Sequence, residues 1–333
     1  MNGSKVKILI IRFSSIGDIV LTSPVVRCLK EQMEGEVEIH YATKKRYKSL
    51  VEHNPHIDKV HTIEKSTNEI VESLKNEQFD YVVDLHKNLR SKRLIRSLKC
   101  LSFSFDKINL QKWLLTTFKV NKLPNIHIVD RYMDAVKTLG VKNDNKGLEH
   151  FIGENDKMNL TELPLTHQNG YIAFAIGAQF ATKRLPTHKI ISICKKINQP
   201  IILLGGKEDV EIAIQIEKEV GNNIYNACGK YSINQSASLV QQSKILITHD
   251  TGLMHIAVAL GVQIVSVWGN TIPALGMYPY YPNNPEKYTI VENNNISCRP
   301  CSKLGYDKCP KGHFKCMEEI DEELIIEKAL MIS

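Results

Sequence analysis

The chain has 333 residues, 43% of them hydrophobic and 24% charged, with a formal net charge of +7. That length exceeds one ordinary core and suits two domains of roughly 150 residues each, while the apolar fraction excludes a disordered chain or one that needs disulfides or metals to fold. No apolar run reaches the roughly 20 residues that span a bilayer, so neither a signal peptide nor a membrane anchor is expected. Of eight cysteines, four are dispersed and four cluster near the C-terminus, a usage that points to reduced thiols and a cytoplasmic protein.

In chain order, residues 5–13 form a continuous apolar, β-branched run, as expected of a central parallel strand covered on both faces. The loop Ser14-Ser15-Ile16-Gly17-Asp18 leads into a helical pattern around 25–30. Further strands are predicted at 37–41, 59–62 and 81–85, with a helical segment at 67–76 between them. The polar, irregular stretch 148–170 reads as a linker. Beyond it, strands are predicted at 171–176, 201–204, 224–226, 245–248 and 264–268, and a terminal helix at 318–332. Strands alternating with helices imply parallel sheets with right-handed crossovers. The expected organisation is two α/β domains, 1–160 and 161–333.

Three segments follow directly on strands, where open α/β sheets place their ligands. In the first, Gly17 would permit a tight turn and Asp18 could take a proton from an attacking hydroxyl; Asp18 could equally do no more than cap a helix. The spacing is not the dinucleotide fingerprint, since G-x-G-x-x-G is absent after this strand, which disfavours a nicotinamide dehydrogenase. In the second, Thr248-His249-Asp250-Thr251-Gly252, Thr251 can cap the following helix while Gly252 lets a ligand approach the backbone, so that free N–H groups would receive a diphosphate. His255, one turn on, could reach the same oxygens; an ordinary capped turn is the alternative. In the third, 177–186, Lys183 and Arg184 could stabilise charge developing on a nucleoside diphosphate, or simply form an exposed basic loop. A fourth feature is the run 86–96, with five basic side chains and no acid, which attracts phosphates, carboxylates or anionic headgroups or forms a solvated helix face.

Together, Ile11-Arg12-Phe13-Ser14-Ser15-Ile16-Gly17-Asp18, the 177–186 loop, the block from His249 to Gly261 and Trp268-Gly269-Asn270-Thr271-Ile272-Pro273 resemble the lipopolysaccharide heptosyltransferases of glycosyltransferase family 9. The resemblance runs through nearly the whole chain. It implies a GT-B fold, two Rossmann-like doubly wound domains facing a central cleft, with the acceptor on the N-terminal domain and a nucleotide sugar on the C-terminal one. It implies inverting, metal-independent transfer of a heptose from an ADP-sugar to the lipopolysaccharide inner core. Asp18 would be the general base and Lys183 the contact to the donor phosphates. Gln179, Asp250, Thr251, Gly252, His255 and Thr271 would bind the donor, and Ser15, Gly17, Arg90 and Lys92 the acceptor. Gly205-Gly206-Lys207-Glu208-Asp209 departs from members that carry a ribose-binding glutamate, which leaves the nucleotide open. An acceptor bearing Kdo carboxylates and lipid A phosphates would suit the basic run and bring the enzyme to the inner membrane surface. Nucleic acid is not an expected partner, because the run lacks aromatic platforms.

Cys298, Cys301, Cys309 and Cys316 give a C-x2-C-x7-C-x6-C spacing with His313 among them. Four thiolates, or three with His313, could hold a structural zinc; no cofactor is expected in catalysis. Two alternatives share the fold: a nucleotide-sugar 2-epimerase, which would act on donor alone, and a nucleotide-sugar binding module without turnover.

Overall fold

The computed structural model describes residues 5–331. The chain divides into two compact units, one made of the chain through Lys107 plus Ile126–Phe151, the other of Ile108–Asn125 plus the chain from Ile152 onward. The sequence alone predicts a single border at 160/161. Two sets of contacts account for the difference. Lys119 donates from Nζ to the carbonyls of Cys298 (2.9 Å) and Pro300 (2.7 Å), which ties 108–125 to the second unit. Met158 donates its N–H to Ser238 Oγ (2.9 Å) and its carbonyl accepts from Gln242 (3.0 Å), so the stretch after 151 belongs there too.

The first unit is built on a five-stranded parallel sheet of β1 (Val6–Ile11), β2 (Val37–Lys44), β3 (Lys59–Ile63), β4 (Tyr81–Asp84) and β5 (Leu101–Ser104), in the order β3-β2-β1-β4-β5. Its helices are α1 (Ile16–Val20), α2 (Ser23–Gln32), α3 (Val71–Glu77), α4 (Leu89–Leu98) and α6 (Ile128–Asp134); the intervening α5 (Asn109–Phe118) lies in the second unit. Ile8 through Ile11 are wholly buried, each contributing about 2 kcal/mol of burial, which is why β1 is central. The edge strand β5, with Leu101 exposed, lacks the apolar pattern that would have announced it.

The second unit holds a six-stranded parallel sheet: β6 (Ile172–Ala175), β7 (Ile201–Leu204), β8 (Ile224–Asn226), β9 (Leu246–His249), β10 (Ile264–Trp268) and β11 (Tyr288–Glu292), ordered β11-β10-β9-β6-β7-β8. It carries α7 (Thr187–Ile197), α8 (Val210–Val220), α9 (Ile233–Gln241), α10 (Gly252–Ala259), α11 (Lys315–Glu318) and α12 (Glu322–Leu330). The terminal helix expected at 318–332 is broken in two, because Asp321 takes the N-cap position and accepts from Leu324 N; Ile332 lies outside the described residues. Among the described residues no helix is long and apolar enough to cross a membrane.

Each sheet therefore reverses its strand order once, between β1 and β4 in the first unit and between β6 and β9 in the second. The crevice outside the carboxyl ends at such a reversal is where open α/β sheets bind ligands. The segments singled out from sequence leave β1, β6 and β9 at those two points.

Candidate active site

In the first unit, Gly17 and Asp18 lie in the first turn of α1 rather than in a loop, with Ser15 at the N-cap. The tight turn assigned to Gly17 is not used: it is a buried helical residue. Asp18 Oδ2 accepts from Ser15 Oγ (2.8 Å) and, at longer range, Ser15 N (3.3 Å). Its Oδ1 pairs with Arg12 at 2.7 Å and accepts from the Tyr132 hydroxyl at 3.4 Å. Asp18 thus does close the first helical turn, and it is also one half of an ion pair at the switch point. Arg12 is fastened in turn by the carbonyls of Ser14 and Leu85. Burial opposes its charge, and Asp18 more than restores it, so the guanidinium is held above its ordinary value. The two short contacts orient the carboxylate, while the two long ones are weak enough for an incoming hydroxyl to replace.

Two neighbours escaped the sequence reading. His86, just past β4, has a buried Nδ1 with no hydrogen-bond partner among the described residues; burial, then Arg12, push its imidazole down to about 3, so it is neutral at working pH. Arg131 in α6 buries all three guanidinium nitrogens without a hydrogen-bond partner among the described residues, beside the Tyr132 that reaches Asp18. Such orphaned buried groups are costly unless something completes them.

Of the expected acceptor residues, Ser15 is exposed beside Asp18, Arg90 is half-buried in the first turn of α4, and Lys92 is exposed two residues further on. Asp84 organises this start of α4, accepting from the backbone of His86 and Lys87 and from Ser91 Oγ. A pocket of about 420 Å³ opens by the carboxyl ends of β2 and β3, lined by Lys44, Lys45, Arg46, Ile63 and Glu64. Burial, followed by Arg46 and Arg90, pushes the Lys44 ammonium below its ordinary value, while Lys45 pairs with Glu64 at 2.6 Å. Three consecutive basic residues at 44–46 are the trace of this pocket in the sequence.

In the second unit the fold brings three of the expected residues together. Lys183 Nζ lies 2.5 Å from Asp250 Oδ2, which also accepts from Thr271 Oγ1 at 3.0 Å. They come from the ends of β6, β9 and β10 respectively. Thr251 occupies the N-cap of α10, but its side chain makes no capping bond; its Oγ1 lies 3.3 Å from Thr248 Oγ1 instead. The first N–H groups of α10 are thereby not consumed by the cap, which suits an anion. Gly252 begins the helix, His255 is buried within it, and Gln179 stands exposed on the 177–186 loop.

Arg184 does not face that group. Its guanidinium is spent on the Ala178 carbonyl and on Asp209 Oδ1 (2.8 Å), bracing the loop that carries Lys183. His249 adds a second brace, its Nε2 accepting from Leu185 N at 3.0 Å. A third comes from the Cys-rich segment. The Tyr306 carbonyl accepts from Thr182 N (3.1 Å), and Arg299 donates to the carbonyls of Gly269 and Thr271 (2.5 and 3.0 Å). This segment therefore holds both Lys183 and Thr271 in place through backbone groups. Cys298 Sγ is 3.8 Å from His313 Nε2, and in this structure no three donors of Cys298, Cys301, Cys309, Cys316 and His313 come within 4.8 Å of one another. Burial, with neighbouring thiols, pushes Cys301 up to about 12, so it carries a proton at neutral pH.

A Rossmann-like sheet order repeated in two units, each gathering its polar residues at the switch point, is the plan of the GT-B glycosyltransferases. Residues 68–308 match Glycosyltransferase family 9 (heptosyltransferase), and the chain belongs to that family. It is 24% identical over 294 residues to lipopolysaccharide heptosyltransferase 1 of Campylobacter coli, covering 80% of this chain and 84% of that one. Among solved structures, it is similar to the family 9 glycosyl transferase of Veillonella parvula (TM-score 0.79, 23% identity, 98% of each chain). It is also similar to the Escherichia coli ADP-heptose lps heptosyltransferase II (TM-score 0.73, 19% identity, 98% of each chain). The protein is a glycosyltransferase.

Proposed function

We propose that this enzyme transfers a heptose from ADP-heptose to the inner core of lipopolysaccharide, inverting the anomeric centre, with no metal in the chemical step. The observation that carries the mechanism is the Asp18 carboxylate, paired with Arg12 and oriented by Ser15 at a sheet switch point. Asp18 accepts the proton of the acceptor hydroxyl as its oxygen bonds to the anomeric carbon. The bond from that carbon to the diphosphate oxygen breaks on the opposite face, and its electron pair leaves with ADP. Lys183 and the N–H groups that open α10 take up the departing charge, while Asp250, held by Thr271 Oγ1, keeps Lys183 aimed. The proton then passes from Asp18 to solvent.

The ADP-heptose donor and the core acceptor rest on the names of the relatives. Support for an anionic acceptor comes from Lys44, Arg46, Arg90 and Lys92, which would meet carboxylates and phosphates at a membrane surface and make the enzyme peripheral there. The test is incubation with ADP-heptose and a Kdo-lipid A acceptor, following ADP release and the acceptor's mass. A gain of one heptose with one ADP released is the expected result. An epimer formed from donor alone, or donor bound with no product, would replace this reading with the epimerase or the binding module.

A further inference from the structure

Among the described residues, one set of three potential metal donors comes within 4.8 Å of one another: His40, His61 and Glu77. None of them belongs to the transfer machinery. His40 lies on β2 and His61 on the edge strand β3; Ala42 pairs with His61 and His40 with Lys59, so the two imidazoles are diagonal neighbours on one face of the sheet. Glu77 ends α3, whose carboxylate meets Lys7 near the start of β1 at 3.3 Å. The cluster thus sits toward the amino edge of the first sheet, away from the carboxyl ends that carry Asp18.

Its geometry is that of a histidine pair prepared to ligate. His40 Nδ1 is 3.0 Å from His61 Nε2, and both rings are buried. The other nitrogen of His40, Nε2, is 2.6 Å from Glu38 Oε1. A carboxylate can only accept, so this contact puts a proton on His40 Nε2 and turns Nδ1 toward His61. Such a carboxylate behind the ring is the recurring support of metal-bound histidines. Two imidazole nitrogens 3.0 Å apart need either a shared proton or a cation between them, and bonds of about 2.1 Å to zinc span that separation with little movement. Phe79 packs edge-on against His40 (5.0 Å) and fixes the ring.

We propose that His40, His61 and Glu77 form a site for a divalent transition metal of the zinc class, which pins β2, β3 and α3 together. Glu77 also pairs with Lys7 and Lys59, and metal binding exchanges one of these partners for the ion. Lys59 is the partner to leave, since its side chain is 55% exposed on the edge strand, which also gives the ion its way in. Two histidines and one carboxylate leave a fourth position for water, and the mixed nitrogen and oxygen donors select zinc, cobalt or nickel over calcium or magnesium.

The test is Co²⁺ titration of the full-length protein, read by visible absorption, with the heat-unfolding midpoint in added Zn²⁺ as a second measurement. Supporting results are uptake of one Co²⁺ with d–d bands and no sulfur charge-transfer band, and a raised unfolding midpoint with Zn²⁺. Both should be lost in Glu77→Gln, a variant at a helix end whose folding circular dichroism can verify, and in His61→Ala. Glu38→Gln should weaken binding roughly 10–100-fold. No uptake would overturn the proposal and leave a proton shared by the two rings. Uptake with a sulfur charge-transfer band that survives Glu77→Gln would overturn it in favour of the Cys-rich segment.

Discussion

Lys183 and Asp250 stand 67 positions apart in sequence and 2.5 Å apart in the structure, with Lys183 also donating to the Asp250 carbonyl at 3.3 Å. The carboxylate is thereby an aiming device for the ammonium, and Thr271 keeps that carboxylate in place. Lys183→Met should lower kcat about 100-fold or more, as loss of a charge-stabilising donor does. Asp250→Asn should instead act mainly on donor KM. Steady-state kinetics with both substrates varied separate the two, and equal effects on kcat would contradict the division of roles.

Gly177 has a structural reason to be glycine. A Cβ there would lie 2.1 Å from Asp209 Oδ2, the same carboxylate group that Arg184 grips. Gly177→Ala should cost about 1–3 kcal/mol through overpacking. Because the clash is with one side chain, Gly177→Ala should cost less in an Asp209→Ala background, with a coupling of about 1 kcal/mol between the two sites. Urea midpoints of the four proteins check it; strict additivity would place the strain elsewhere.

Arg27 and Asp144 join α2 to the end of the first unit by two hydrogen bonds of 2.8 Å, with Arg27 wholly buried. Burial would raise the Asp144 carboxyl, but Arg27 overrides it and holds it down at about 2. A depressed folded value means stability that is present above the ordinary value of 3.8 and lost as pH falls toward 2. The pair should therefore contribute about 2 kcal/mol at neutral pH that disappears across that window. Asp144→Asn should destabilise by about 2 kcal/mol, since the buried guanidinium loses one of its two carboxylates and keeps Glu149 at 3.1 Å, and should flatten the acid limb of the stability profile. Unfolding free energies measured from pH 6 to pH 2 decide it.

Much of this was legible in the sequence because apolar runs and strand ends are local signals. The run through Ile8–Ile11 announced β1, and the three segments that leave β1, β6 and β9 were identified by the same logic that places ligands at strand ends. What sequence could not show is pairing. Arg12 stood in the opening motif, but its partnership with Asp18 is completed by Tyr132, 114 positions away. Thr251 was expected to cap α10 from its residue type; it takes the position without making the bond, because propensity selects a place and not a rotamer. Arg184 looked as available as Lys183, and only tertiary contact shows it committed to Asp209. The border fell at 151 rather than 160 because Met158 and Lys119 choose their unit through hydrogen bonds that leave no trace in composition.

The crowded cations at Lys44, Arg46 and Arg90 should make acceptor recognition salt-dependent. Lys44→Ala and Arg46→Ala should each raise acceptor KM several-fold at low ionic strength and weaken its dependence on salt, leaving donor KM unchanged. A parallel rise in donor KM would mean that these residues act on the fold and not on the acceptor.

The most direct test of the account is the single-turnover rate of heptose transfer by Asp18→Asn, measured with saturating donor and acceptor beside donor affinity by calorimetry. The account predicts a loss of about 100-fold or more in the transfer rate, with donor affinity close to that of the unaltered protein and a lowered unfolding midpoint, since buried Arg12 loses its charged partner. Transfer by Asp18→Asn at a rate close to that of the unaltered enzyme would contradict it, and would reduce Asp18 to the helix cap that it also is.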